Sequence, residues 1–234
     1  MDKKNQSRGQ FQDQKSIEVL FEDEWLVAVN KPSGLPTQQT LDPKRPHLFG
    51  EVKAQNGYKY LALHHRLDVG TSGVVIMAKH KGINKDLSNM FKNREFGKIY
   101  EFMAYSQSSP KNQWTIDNHL KKVSKPKAHM IETKSGGDRA ITDFKILEQI
   151  NSFLQVQATP KTGRMHQIRV HAQQSDLMMI GDRFYAYKSP IQHPRMLLHA
   201  KSLTFVHPKS QEEITIDSQL PWNFKTLVDE FSNS

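Results

Sequence analysis

The chain of 234 residues contains no cysteine. Disulfides, thiolate nucleophiles and cysteine-bound zinc are excluded together. No run approaches the roughly 20 consecutive apolar residues that a bilayer-spanning helix needs. The opening residues, MDKKNQSRGQFQDQK, lack the apolar core of a secretion signal. Acidic side chains are in deficit: 24 Asp and Glu stand against 33 Lys and Arg, a net charge of +9. That balance suits a polyanionic partner, because phosphates attract Lys and Arg whatever the sequence between them. With 36% hydrophobic residues and a mean hydropathy of −0.67, the chain reads as a polar, globular, cytoplasmic protein with no membrane partner. It is long enough to enclose a core.

Residues 1–15 are polar and aperiodic and read as a disordered tail ahead of one domain over 16–234. Ile17 to Phe21 and Trp25 to Asn30 pattern as a strand hairpin. Lys31-Pro32-Ser33-Gly34-Leu35-Pro36 follows as a stiff loop. Leu48 to Asn56 suits a short helix before Gly57. Apolar residues at 83, 87, 90 and 91 predict a helix over 82–94 with Met90 and Phe91 in the core. From Gly97 to Ala158, strand follows strand, which argues for an antiparallel sheet rather than a parallel wind. One connector, residues 121–127, carries four lysines in seven residues. A solvated hairpin tip and a phosphate-tracking loop both fit it.

The most unusual stretch is Leu63-His64-His65-Arg66-Leu67-Asp68-Val69-Gly70-Thr71-Ser72-Gly73, followed by the strand-like Val74 to Ala78. Arg66 and Asp68 lie two residues apart in apolar company, which on an extended backbone puts them on one side. The small residues 70–73 leave space beside the carboxylate. An acid so placed is either a structural ion-pair partner or a reactive group facing a pocket. His65-Arg66-Leu67-Asp68-x-x-Thr71-Ser72-Gly73 resembles the signature of the RluA-type RNA pseudouridine synthases. Four further segments resemble that family's motifs, in its order. They are Val29-Asn30-Lys31-Pro32-Ser33-Gly34-Leu35, Lys98-Ile99-Tyr100, Thr162-Gly163-Arg164-Met165-His166-Gln167-Ile168-Arg169-Val170-His171, and Gly181-Asp182-Arg183-Phe184-Tyr185 with Leu198-His199-Ala200.

The resemblance implies one α+β domain: a long, bent, mixed but mainly antiparallel sheet with flanking helices around a central cleft. It implies an isomerase that turns specific uridines of tRNA or rRNA into pseudouridine after base flipping, without a cofactor or metal. By the resemblance Asp68 is the catalytic acid, Tyr100 stacks on the uracil and Arg164 pairs with Asp68. It also places Arg66 where the base has left the RNA, and sets Lys31, His65, Thr71, Ser72 and Ile168 among the RNA-binding residues. Many relatives carry an N-terminal S4-type RNA-binding module; with the first strand near residue 17, the expectation here is a catalytic domain without one, working as a monomer. From the spacing alone, Thr162-Gly163 turns into a helix with Met165, Ile168 and Ala172 on its buried face and Arg164, Gln167 and His171 on another. His166 and His171, five apart, suit a helical metal pair poorly.

Two rival readings remain at this point. One is a non-catalytic RNA-binding protein or RNA chaperone on the same scaffold. The other is a hydrolase using Ser72, although Gly70-Thr71-Ser72-Gly73 lacks the Gly-x-Ser-x-Gly elbow.

Overall fold

A computed structural model describes residues 16–108, 110–125 and 128–233; the tail expected over 1–15 lies outside them, as do Pro126 and Lys127 of the lysine-rich connector. The chain begins with strands β1 (Val19–Glu22) and β2 (Leu26–Lys31), then helix α1 (Leu48–Asn56), which ends at Gly57 in the left-handed conformation. Next come β3 (Ala62–Leu63), β4 (Ser72–Ala78), a 3₁₀ turn, helix α2 (Asn84–Asn93) and β5 (Gly97–Tyr105). The meander β6 (Gln113–Val123), β7 (His129–Glu132), β8 (Asp138–Ile150) and β9 (Phe153–Pro160) leads to helix α3 (Gln167–Gln174). The chain closes with β10 (Met178–Met179), β11 (Leu198–Val206), β12 (Glu213–Asp217) and helix α4 (Phe224–Ser232).

The twelve strands among the described residues belong to one sheet, in the order β1-β2-β4-β11-β5-β9-β8-β6-β7, with β3, β10 and β12 pairing to the side. The sheet is mixed: β4 and β11 run parallel, through Ser72 with His199 and Gly73 with Ala200, and the other pairs are antiparallel.

β4 sits centrally and is buried along its whole length, which is why it reads as an unbroken apolar run rather than an alternating one. Val74, Ile76 and Ala78 pack toward α2 with Leu26, Ala28, Leu87 and Met90. Val75 and Met77 pack toward α1 with Val27, Val29, Leu48 and Val52. Each of the valine, leucine, isoleucine and methionine side chains contributes about 1.5–3 kcal/mol on burial. Further along the sheet, β5, β8 and β9 cover α3 through Phe102, Val156, Ile168 and Ala172. The opposite face takes α4 through Met103, Phe224 and Val228. At the parallel junction Gly73 has φ +110, and a Cβ there would run into the Ala200 backbone. Only glycine lets β4 and β11 meet.

Two sequence expectations shift. α3 starts at Gln167, not at the Thr162-Gly163 turn, because His166 adopts φ 53 and ends the preceding loop. The helix expected over 82–94 runs Asn84–Asn93, because Lys81–Ile83 form a 3₁₀ turn ahead of it.

Candidate active site

A cleft of about 590 Å³ opens where three segments converge: the loop entering β4, the start of β5, and the loop between β9 and α3. It contains Asp68, Tyr100, Ile168 and Arg66 together, as the sequence suggested. Seven lysines and arginines line it (Arg66, Lys92, Arg94, Lys98, Lys161, Arg164 and Arg169), and Asp68 is the single carboxylate among the lining residues.

The Asp68 loop is held by its backbone neighbours. Thr37 Oγ1 donates to Leu67 O at 2.9 Å and accepts from Leu67 N at 3.1 Å. Ser33 Oγ donates to Gly70 O at 2.7 Å, and Gly34 N donates to Val69 O at 2.7 Å. Lys31 completes the staple. Its Nζ donates to Pro32 O, Leu35 O and Val69 O at 3.0, 2.7 and 3.3 Å. Lys31 is fully buried, so the expected phosphate contact is corrected: its ammonium ties the loop beneath the site and does not face solvent. Burial pushes its pKa down to about 7, against the pull of Asp68.

The ion-pair partner of Asp68 is Arg169, not Arg164. Arg169 Nη1 donates to Asp68 Oδ2 at 3.2 Å. Its Nε and Nη2 grip Asp182 at 2.6 and 2.9 Å, and its guanidinium lies 5.0 Å from the Tyr185 ring centroid. Burial works against the guanidinium charge, but the hydrogen bonds and charges of Asp182 and Asp68 outweigh it, and the pKa lies above the ordinary value. Asp182 is buried too, yet its carboxyl stays below the usual range through Arg169 and the N–H groups of Phe184 and Tyr185. Arg164 instead donates through Nε to Arg139 O at 3.2 Å and lies 3.7 Å from Asp138. With α3 beginning three residues later than expected, Arg164 belongs to the loop before it, and Arg169 is the helix residue that reaches Asp68.

His166 is one helical turn before Arg169. Its Nε2 lies 3.6 Å from Asp68 Oδ2 and its Nδ1 3.1 Å from the Tyr185 hydroxyl. Burial lowers its pKa, with Asp68 pulling the other way. Gln167 and His171, expected with Arg164 on a face other than the apolar one, are buried. Gln167 accepts from Thr162 Oγ1 and Arg164 N and donates to Ile141 O and Thr142 Oγ1. His171 bonds Thr142 and Asn118, and burial takes its pKa down to about 4. These two residues anchor α3 against β8 and β6.

The remaining expected contacts divide. Arg66 is exposed at the cleft mouth and Ile168 is buried in its floor. Tyr100 is half-buried, and burial together with the Asp68 charge raises its phenol pKa. His65 accepts a hydrogen bond from Ile76 N at Nε2, stacks on Phe91 with centroids 4.6 Å apart, and is pushed by burial to about 3, so it is a neutral ring. Phe91, expected in the core, is half-buried and lines the cleft. Thr71 and Ser72 are both buried. Thr71 nevertheless lines the cleft, whereas an RNA contact by Ser72 is corrected to a structural one: its Oγ bonds His199 Nδ1 at 2.9 Å and accepts from Arg195 at 3.1 Å. A buried hydroxyl bonded to a histidine and an arginine has no route to a substrate, which removes the hydrolase reading. Arg169 and Asp182 escaped the sequence reading, although both stand inside quoted motifs.

A family model described as RNA pseudouridylate synthase matches residues 25–174. A relative named dual-specificity RNA pseudouridine synthase RluA, from Haemophilus ducreyi, is 32% identical over 213 residues, spanning 87% of this chain and 93% of the relative. A protein named ribosomal large subunit pseudouridine synthase C, from Buchnera aphidicola, is 30% identical over 90% of this chain and 69% of its own length. Among solved structures, human RNA pseudouridylate synthase domain containing 4 aligns with a TM-score of 0.70 at 24% identity, covering 92% of this chain and 93% of that one; this shows a shared fold.

Proposed function

The chain belongs to the RNA pseudouridylate synthase family, whose members are isomerases, and from that premise we propose that its cleft converts uridine in structured RNA to pseudouridine with Asp68 as the reactive group. In this reaction the glycosidic bond from the ribose to N1 breaks, the uracil turns, and its C5 joins the ribose; C5 then loses its proton and N1 takes one up, so no atom is gained or lost overall. The observation that carries the reading is the composition of the cleft: seven cations surrounding one carboxylate. A groove built only to hold RNA gains nothing from an acid at its centre, because a carboxylate repels phosphates. An acid gripped by Arg169 is instead held in place and aimed into the cleft.

Ribosomal and transfer RNA are the substrates we assign, the first in keeping with the name of the Buchnera relative. The target base lies inside stacked RNA, so it is flipped out at a cost of about a few kcal/mol. Arg66, exposed at the mouth, fills the gap it leaves, and Tyr100 and Ile168 receive the base. The site is assembled from one chain, which fits a monomer acting in the cytoplasm. Pseudouridine mapping of tRNA and rRNA from cells with and without the gene identifies the target. Purified Asp68→Asn is expected to bind that RNA and form no pseudouridine; turnover near the wild-type rate would remove the proposal.

A further inference from the structure

Lys98 and Tyr100 stand two residues apart on β5, so their side chains leave the same face of the strand, about 6.7 Å from each other along it. Both line the cleft. Lys98 is half-buried, with its ammonium 5.2 Å from the centroid of the Phe91 ring. That ring lies between His65 and Phe96, stacked at 4.6 and 4.1 Å, so the wall that positions the ammonium is stiff.

What distinguishes Lys98 is its lack of an anion. Among the described residues no carboxylate lies within ion-pair distance of its Nζ and no protein oxygen accepts a hydrogen bond from it. The other partly covered cations of the cleft are satisfied: Arg169 by Asp182 and Asp68, Arg164 by Asp138 and the Arg139 carbonyl. Lys161 lies 3.2 Å from Asp143. Partly burying an ammonium without a partner costs free energy, and burial lowers the Lys98 pKa accordingly. A cation held at such a cost against an aromatic wall, inside a cleft, is matched to an anion that arrives from outside.

We propose that Lys98 binds one backbone phosphate of the RNA, that of the nucleotide whose base is received by Tyr100. The register of that phosphate rests on the isomerase reading above, whereas the phosphate contact itself does not. One strand thereby reads two parts of one nucleotide, base at residue 100 and phosphate at residue 98.

The first test needs no turnover. Binding of the full chain to bulk tRNA and rRNA from cells lacking the gene is measured over a salt series for wild type, Lys98→Met and Lys98→Arg. Lys98→Met keeps the stem over Phe91 and removes the charge. Its plot of log affinity against log salt is expected to be shallower by about 0.7 to 0.9, the counterion release of one phosphate. Affinity falls several-fold, and the thermal midpoint equals or exceeds that of wild type because an uncompensated charge has left the interior. Lys98→Arg restores the slope. An unchanged slope in Lys98→Met overturns the proposal, whether the midpoint drops, as for a structural lysine, or only the single-turnover rate falls, as for a group acting in the chemistry.

The second test fixes the register. A neutral methylphosphonate is walked through the phosphates around the mapped uridine in an RNA fragment. Wild type loses affinity at a position adjoining that uridine, and Lys98→Met is indifferent to the same change. Equal losses in both proteins at every position overturn the assignment. If wild type forms no pseudouridine in any RNA, the isomerase reading fails, and the salt slope still decides whether Lys98 holds a phosphate.

Discussion

Arg169 meets Asp68 through a single nitrogen because Asp182 already holds the other two. The unit is a three-residue bridge whose inner end, the Asp182 side chain, has no exposure to solvent. Arg169→Met therefore does two things. It strands a buried carboxylate at Asp182, a loss of about 3–5 kcal/mol for broken buried pairs, seen as a fall in thermal midpoint. It also removes the guanidinium that orients Asp68, so the single-turnover rate falls sharply. Arg169→Lys retains charge without the fork and is expected to lie between. Asp182→Asn keeps an oxygen for the Phe184 and Tyr185 amides and loses less stability. Arg164→Met, which touches neither carboxylate of the bridge, lowers the rate less. The reverse pattern, with Arg164→Met costing more rate than Arg169→Lys, would show that the bridge is not the working pair.

For Tyr100 the two halves of the side chain separate cleanly. The phenol is held neutral by burial and the Asp68 charge, so its ring face is the part presented to a base. Tyr100→Phe keeps that face; Tyr100→Ala loses stacking of about 1–3 kcal/mol per base. Single-turnover rates at saturating protein are expected to drop far more for alanine than for phenylalanine. Equal losses would mean that the hydroxyl, not the ring, carries the contribution.

Gly73 offers a test of the parallel junction that brings β11 beside the Asp68 loop. With φ +110 and the Ala200 backbone against its Cα, Gly73→Ala meets both a strained dihedral and a collision. Destabilisation well above about 1 kcal/mol is expected in urea unfolding, while Gly57→Ala, with open space around it, costs less. Similar midpoints for the two variants would rule out the close approach.

The parts of the fold legible in the sequence were those set by local rules. Helix α1 and its Gly57 stop, strand β5, and the strand-after-strand run from 97 to 158 follow from periodicity and turn residues. The parallel meeting of Ser72 with His199, 127 positions apart, carries no local signal. Asp68 and Tyr100 were legible as motif residues and do share a cleft. Arg164 was paired with Asp68 by the resemblance alone; a left-handed histidine at 166 is not visible in a pattern of apolar residues, and it keeps Arg164 in the loop while Arg169, on the helix, turns toward the carboxylate. Lys31 misled by residue type. Lysine reads as solvated unless three backbone carbonyls converge on it, and those come from residues 32, 35 and 69.

That buried lysine gives the protein a pH dependence of its own. In the unfolded chain a lysine keeps its proton to about pH 10.4, whereas burial, with a smaller push from Arg195, lowers the folded Lys31 to about 7 in spite of Asp68. Below pH 7 both states are protonated and the full cost of the buried charge is present. Between the two pKa values the unfolded chain holds a proton that the folded chain has shed, so stability rises with pH, at a slope of at most about 1.4 kcal/mol per pH unit. Lys31→Met abolishes this term and leaves the Leu35 and Val69 carbonyls without their donor, so it is less stable than wild type and the gap widens from pH 7 to pH 9. Its Asp68 loop is also less firmly held, and single-turnover rates fall even where the variant is folded. Urea unfolding of both proteins at intervals from pH 6 to pH 9 reads the difference directly. Parallel curves across that range would mean that Lys31 keeps its proton in the fold, its charge satisfied by the three carbonyls that surround it.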